Sequence, residues 1–200
     1  RQMCIRDSTD EELIDMFGAG WWKHDPEAAE KLLIKAGFEK KDDGWYFNGS
    51  KFTTEISYLA DTEAQSARGA QAAYNQLQAF GLDCTITSKS TATWDVDGGQ
   101  GNYQIGTYWP SAGILKDFYS AISGWDSRLM KPLGETGSGQ GARWKNEKVD
   151  EILTELAGVD PTSDKSYELH QEFLKEAVKE MPAINFLSGT KFAPTHSTYW

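Results

Sequence analysis

Cysteine is scarce: it occurs twice in 200 residues, at Cys4 and Cys84. Two cysteines are too few for a disulfide scaffold and lack zinc-site spacing. A Cys4–Cys84 bridge is one reading; two inert thiols, with Cys84 in a buried strand, is the one favoured. Histidine is scarcer than a metal centre needs, since His24, His170 and His196 lie far apart without ligand spacing. No metal site and no cofactor are expected. Positive charge is in deficit, with 20 Lys and Arg against 30 Asp and Glu and a net charge of −10. That balance excludes a phosphate-backbone partner, so no nucleic acid is expected. No apolar run reaches the about 20 residues that span a bilayer. Arg1–Ser8 has no apolar stretch, so no signal peptide is read there, and this segment is taken as a truncated or foreign start. Also missing is any constellation of nucleophile, base and orienting acid, so binding is expected rather than catalysis.

Aromatics, in contrast, reach 12% with 8 Trp, and Gly numbers 19. That is more indole than a core of this size needs, and Trp and Tyr favour surfaces where a flat apolar face meets a polar rim. The glycines predict long loops. The length suits one domain, or one lobe with a fragment of another.

Helix signals are clear. Asp25 caps, Pro26 takes the first helical position, Ala28, Ala29, Leu32, Leu33 and Ala36 form a stripe, and Gly37 supplies the stop. Asp42-Asp43-Gly44 and Asn48-Gly49 flank Trp45-Tyr46-Phe47 and predict a small hairpin. Phe52–Leu59 alternates as a strand. Thr62 and Gln65 open a helix running to Gly81, and Leu82–Thr87 reads as the next strand. Strand, helix, strand with short connections is a βαβ unit, hence a parallel pair. Tyr103–Trp109 is expected to add a third strand. The fold class is therefore α/β.

Residues 110–142 read as an irregular loop with six glycines and two prolines. Loops of that length are usually functional. Asn146 then caps a helix with Val149, Ile152, Leu153 and Leu156 on one face. A last helix carries Tyr167, His170, Phe173 and Leu174 inward and ends before Pro182. Ala183–Leu187 is expected as a short buried strand. Thr9 and Glu12 have capping-box spacing for a further short helix ending near Gly18.

Five segments in this order resemble a known family. Asp25-Pro-Glu-Ala-Ala-Glu-Lys-Leu-Leu-Ile-Lys-Ala-Gly-Phe38, Gln76-Leu-Gln-Ala-Phe-Gly-Leu-Asp83, Arg143-Trp-Lys-Asn-Glu-Lys-Val-Asp150, Glu168-Leu-His-Gln-Glu-Phe173 and Met181-Pro-Ala-Ile184 are similar to segments of the extracytoplasmic solute-binding proteins of ABC importers, family 5. The resemblance spans about residues 24–187. It implies the C-terminal lobe of a two-lobe, class II periplasmic-binding-protein-like fold. On that reading residues 1–23 are an N-terminal segment, 24–187 the lobe, and 188–200 a segment returning toward a larger lobe. It further implies a small-molecule oligosaccharide or peptide ligand, ABC permease subunits as partners, and a periplasmic or extracytoplasmic, membrane-anchored location.

The sequence also departs from that pattern. Peptide-binding members usually carry Trp-x-Gly-Asp-x-x-Asp-Pro after the third strand, whereas here Tyr108-Trp109-Pro110 leads on to Asp117 without the acidic pair. The resemblance is thus nearer the branch that takes cello-oligosaccharides. Segment 91–102 reads as shortened, with Asp-Gly-Gly-Gln-Gly in place of a helix. The ligand-binding candidates are Tyr108 and Trp109 at the strand end, Trp125 in the loop, Arg143 and Trp144 before the Asn146 cap, and Trp94. Indole faces stack on pyranose C–H groups, and an Arg fork can satisfy two hydroxyls. Asp117, Asp126 and Glu135 are loop acids that could accept hydroxyl bonds; were the ligand a peptide, a buried acid near Asp117 or Asp126 would meet its α-ammonium. A glycoside-hydrolase fragment is the distant alternative. Gly98-Gly-Gln-Gly101 and Gly137-Ser-Gly-Gln-Gly141 lack the strand and Gly-Lys-Ser/Thr ending of a phosphate loop.

Overall fold

A computed structural model describes residues 24–61, 64–107, 117–138 and 142–184. The expected Thr9–Gly18 helix, Cys4, Thr62, Tyr108, Trp109 and everything from residue 185 lie outside the described residues.

Helix α1 (Pro26–Lys35) starts as its sequence dictates, with Asp25 accepting from the Ala28 N–H at 3.0 Å and Pro26 in the first turn. Gly37 follows at φ +92°, a conformation that costs other residues strain. The expected stripe is less buried than its spacing suggests, since Ala28, Leu32 and Ala36 are exposed and no residue of α1 is fully buried. Strands β1 (Phe38–Lys41) and β2 (Gly44–Phe47) form the expected antiparallel hairpin, pairing Phe38 with Phe47 and Lys40 with Trp45. Asn48 (φ +50°) and Gly49 (φ +79°) both lie in the left-handed region, as a type I′ turn requires, and lead into β3 (Ser50–Lys51). Trp45 is fully buried. Its ring lies 5.5 Å from that of Phe80, and its Nε1–H donates to the Phe80 carbonyl at 3.2 Å. One side chain thus docks the hairpin on the sheet layer.

That layer is a parallel sheet of β4 (Thr53–Leu59), β5 (Asp83–Lys89) and β6 (Ile105–Thr107), in the order β5-β4-β6. β4 pairs with β5 from Thr53↔Asp83 to Leu59↔Lys89, and with β6 from Ile56↔Ile105 to Tyr58↔Thr107. Helix α2 (Ala64–Ala79) joins β4 to β5 as the predicted crossover. Ile56, Ser57 and Cys84 of the sheet and Ala70 of the helix are all buried. Cys84 is a free thiol whose pKa is raised, first by burial and then by the charge of Asp83.

Three expectations need correction. Segment 91–102 does hold a helix: α3 (Thr91–Gln100) fills it, capped by Ser90 on the Thr93 N–H and stopped by Gly101 at φ +75°. Two glycines inside a helix cost about 1 kcal/mol each relative to Ala. Packing overrides that cost, because a Cβ on Gly98 would press on the Trp94 indole at 3.3 Å. The third strand is described only over Ile105–Thr107, with Tyr103 turned instead onto Trp94. Ala183 and Ile184 are exposed and not in a strand, with no strand beside them among the described residues.

The loop 110–142 also holds more order than its composition suggests. Asp117 caps α4 (Phe118–Ile122), and two 3-10 turns follow at Ser123–Trp125 and Ser127–Leu129. Helices α5 (Glu147–Leu156) and α6 (Asp164–Glu180) close a second apolar cluster around Ile152, Leu153, Leu156 and Leu169. Among the described residues no helix is long and apolar enough to cross a membrane.

Candidate functional site

All three strands of the sheet are parallel, so Leu59, Lys89 and Thr107 end at one edge. Ligands of open α/β sheets bind outside such carboxyl ends. The edge is held by polar ties. Both carboxylate oxygens of Asp61 accept from the Thr91 N–H at 3.0 Å, and one also accepts its hydroxyl at 2.8 Å. Those bonds hold the Asp61 carboxyl below the usual carboxylate range. Lys89 pairs with Asp97 of α3 at 2.7 Å, with both side chains largely shielded. Tyr108 and Trp109 follow Thr107 in the sequence and lie outside the described residues.

The other candidates divide by what they touch. Trp94 is 7% exposed, with its ring against Gly98, Gly106 and Tyr103. It fills the space between α3 and β6. Trp144 is 8% exposed and donates its indole N–H to Glu180, whose other oxygen accepts from the Asn146 amide at 3.2 Å. Asn146 itself caps α5 on the Val149 N–H, so Glu180 ties the end of α6 to the start of α5. Trp125 is half-buried and stands edge-on to Trp144, ring centroids 5.8 Å apart.

Arg143, at φ +50°, reaches back to α3. Its Nη2 donates to the Gly99 and Glu135 carbonyls at 3.1 and 3.0 Å, and its guanidinium lies against Gly101, where any Cβ would collide with it. The Gly134 and Gly137 amides donate to the Gln100 and Gly99 carbonyls at 2.9 and 3.1 Å. The last carbonyls of a helix carry partial negative charge. A cation and two amides therefore close the C-terminal end of α3. This polarity is opposite to that of a phosphate cradle, which needs a helix N-terminus.

The loop acids are engaged or solvated. Asp117 accepts from the Ser120 N–H at 2.7 Å and its hydroxyl at 2.9 Å. Asp126 accepts from Arg128 Nε and Nη2, both at 2.7 Å, and Arg128 holds its carboxyl below the usual range. Glu135 is exposed. Among the described residues the carboxyl groups with displaced pKa values, Asp61, Asp126, Asp160 and Glu176, are all displaced downward. A glycosidase acid requires the opposite displacement. Among the described residues no group of three or more His, Cys, Asp or Glu could hold a metal ion.

The sequence reading misses the partners that carry this frame. Asp61 and Thr91 are 30 residues apart, Trp144 and Glu180 36. No local spacing announces either pair.

Among the described residues this parallel sheet edge is flanked by helices, and sequence comparison supplies the class of protein. The chain belongs to the bacterial extracellular solute-binding proteins, family 5, whose profile for the middle region matches residues 8–132. That membership is in a family of binding proteins, not enzymes, as the missing catalytic constellation led us to expect. Solved structures share the fold, an α/β partial domain of the class II periplasmic-binding-protein type. An oligopeptide ABC transporter's periplasmic binding protein from Thermotoga maritima, with mannohexaose bound, is 20% identical with a TM-score of 0.71 over 86% of this chain and 32% of its own. NikZ from Campylobacter jejuni, in complex with Ni(L-His), is 20% identical with a TM-score of 0.67 over 80% and 31%. The oligopeptide-binding protein AppA from Bacillus subtilis, in complex with a nonapeptide, is 15% identical with a TM-score of 0.64 over 80% and 31%. The chain thus spans about a third of the length of these proteins. No functionally curated protein sequence matches it significantly.

Proposed function

We propose that this chain is part of the substrate-binding component of an ABC importer, working outside the cytoplasm, and that its ligand is a neutral oligosaccharide of the cello-oligosaccharide kind. Family membership supports the binding role. The solved relatives carry guests as different as mannohexaose, a nonapeptide and Ni(L-His), so fold alone does not choose among them. The engagement of Asp117 and Asp126 carries the choice. A peptide's α-ammonium wants a shielded carboxylate with oxygens to spare. Here Asp117 serves Ser120, and Asp126 is forked by Arg128.

Tyr108, Trp109 and the half-buried Trp125 are the aromatic platforms of this reading, while Trp94, Arg143 and Trp144 serve the frame. Each stacked ring adds about 0.5–1.5 kcal/mol beyond area burial. Each satisfied hydroxyl adds about 1 kcal/mol. A few of both reach the roughly −8 kcal/mol of micromolar binding. The ligand stabilises a closed two-lobe state only through contacts it gains there, and that state is the one presented to the permease.

Calorimetric titration of the full-length protein with cellobiose, longer cello-oligosaccharides and short peptides tests the ligand class. Micromolar or tighter binding of a sugar is the expected result. Binding of peptides with no response to sugars would replace the sugar reading by the peptide one, which the nonapeptide-bound AppA likeness favours.

A further inference from the structure

We infer that Asp150 is a positioning residue that aims the Trp125 ring at the ligand; this rests on the reading of Trp125 as a platform. Trp125 ends one 3-10 turn and Ser127 opens the next. The first amides of such a turn have no partner within it. Asp126 takes the Arg128 N–H at 2.9 Å, and Asp150, in the first turn of α5, takes the Ser127 N–H at 2.8 Å. The Ser127 hydroxyl donates to the second oxygen of the same Asp150 carboxylate.

Two oxygens on two donors of one residue fix its orientation as well as its place. A further tie lies one helical turn along the same face of α5. There Arg128 Nη1 donates to the Thr154 hydroxyl at 3.0 Å, and that hydroxyl donates to the Asp150 carbonyl at 2.8 Å. The chain leaving Trp125 is thus clipped to α5. The ring itself stands edge-on to Trp144, which precedes α5 and is tied to Glu180. Both restraints on Trp125 therefore come from the start of one helix, an apolar one at the ring and a polar one at the backbone. An edge contact lets a ring slide, whereas hydrogen bonds are directional. Helix polarity alone does not account for Asp150, because an acid in a first turn favours the dipole while facing solvent. Asp150 is half-buried and turned onto a loop 23 residues earlier in sequence.

The test uses the full-length protein labelled with 5-fluorotryptophan, with Asp150→Ala, Asp150→Asn, Trp125→Ala and Asp150→Ala/Trp125→Ala. Loss of a fluorine signal in Trp125→Ala identifies that of Trp125, and Trp45→Phe identifies that of Trp45. In the ligand-free protein Asp150→Ala should shift or broaden the Trp125 signal and leave the Trp45 signal in place. Cellotetraose should bind Asp150→Ala about five- to tenfold more weakly. Asp150→Asn keeps an acceptor for the Ser127 N–H and should lose only about two- to threefold. In the Trp125→Ala background the Asp150→Ala change should cost nothing further, because its effect runs through that ring. An unmoved Trp125 signal, or losses that simply add, would overturn the role of Asp150. Should Asp150→Ala not fold, Asp150→Asn carries the same two readouts. Sugar binding undiminished in Trp125→Ala would overturn the platform and this inference together. Absence of cellotetraose binding by the unaltered protein would instead overturn the sugar reading, and the ring signal alone would then decide Asp150.

Discussion

Phe118 and His170 lie face to face, ring centroids 4.2 Å apart and planes 6° from parallel. His170 is buried between α4 and α6, with Phe173 stacked beyond it and Nδ1 without a hydrogen-bond partner among the described residues. Burial alone lowers its pKa from 6.5 to about 4. Depressed basicity of a histidine means that the unfolded chain takes up the proton first. Its contribution to stability is therefore intact above pH 6.5 and is lost as pH falls from there toward 4. The loss amounts to about 3 kcal/mol at most. Urea unfolding of the wild type and His170→Phe at several pH values should show a shallower decline in the variant. Parallel curves would mean that His170 does not carry the acid sensitivity.

Trp45→Ala removes both the ring packed on Phe80 and the donor to its carbonyl. A loss of about 3–5 kcal/mol is expected for a large buried aromatic. The hairpin should respond most, with amides of 38–51 exchanging faster while α5 and α6 keep their protection.

Gly106→Ala would drive a Cβ into the Trp94 ring. Overpacking of this kind costs about 1–3 kcal/mol. Trimming the ring in Gly106→Ala/Trp94→Leu should recover part of that loss. Denaturation midpoints of the two single variants and the double variant provide the cycle, and strict additivity would contradict the contact.

Glu180→Gln keeps one acceptor oxygen, which can serve the Trp144 indole or the Asn146 amide in place of the two carboxylate oxygens, whereas Glu180→Ala leaves both donors without one. The alanine variant should lose about 1–3 kcal/mol, and the glutamine variant distinctly less. Thermal unfolding monitored by Trp fluorescence would separate them.

The sequence announces what depends on neighbours along the chain. Asp25-Pro26, Asn48-Gly49, Asn146 and the βαβ run from Thr53 to Lys89 all have local causes, and the structure places each as read. It misleads where packing decides. Gly98 and Gly99 argue against a helix, yet the bulk of Trp94 makes glycine the fitting residue at 98. Trp94 and Trp144 look like platforms because indoles in loops suggest ligands, but Gly106 and Glu180, distant in sequence, draw them inward. Arg143 suggests a ligand fork; its partners in the structure are backbone carbonyls, which no residue pattern encodes.

Because β4, β5 and β6 run the same way, the chain keeps its sealed interior and, on the binding role proposed above, its guest-reading margin in different stretches of sequence. Ile56, Ala70 and Cys84 answer to the interior, while Leu59, Lys89 and Thr107 mark where the margin would begin. Mutation can therefore rewrite the margin without renegotiating the scaffold, and one architecture can be retuned to chemically unrelated cargoes by editing a small set of codons.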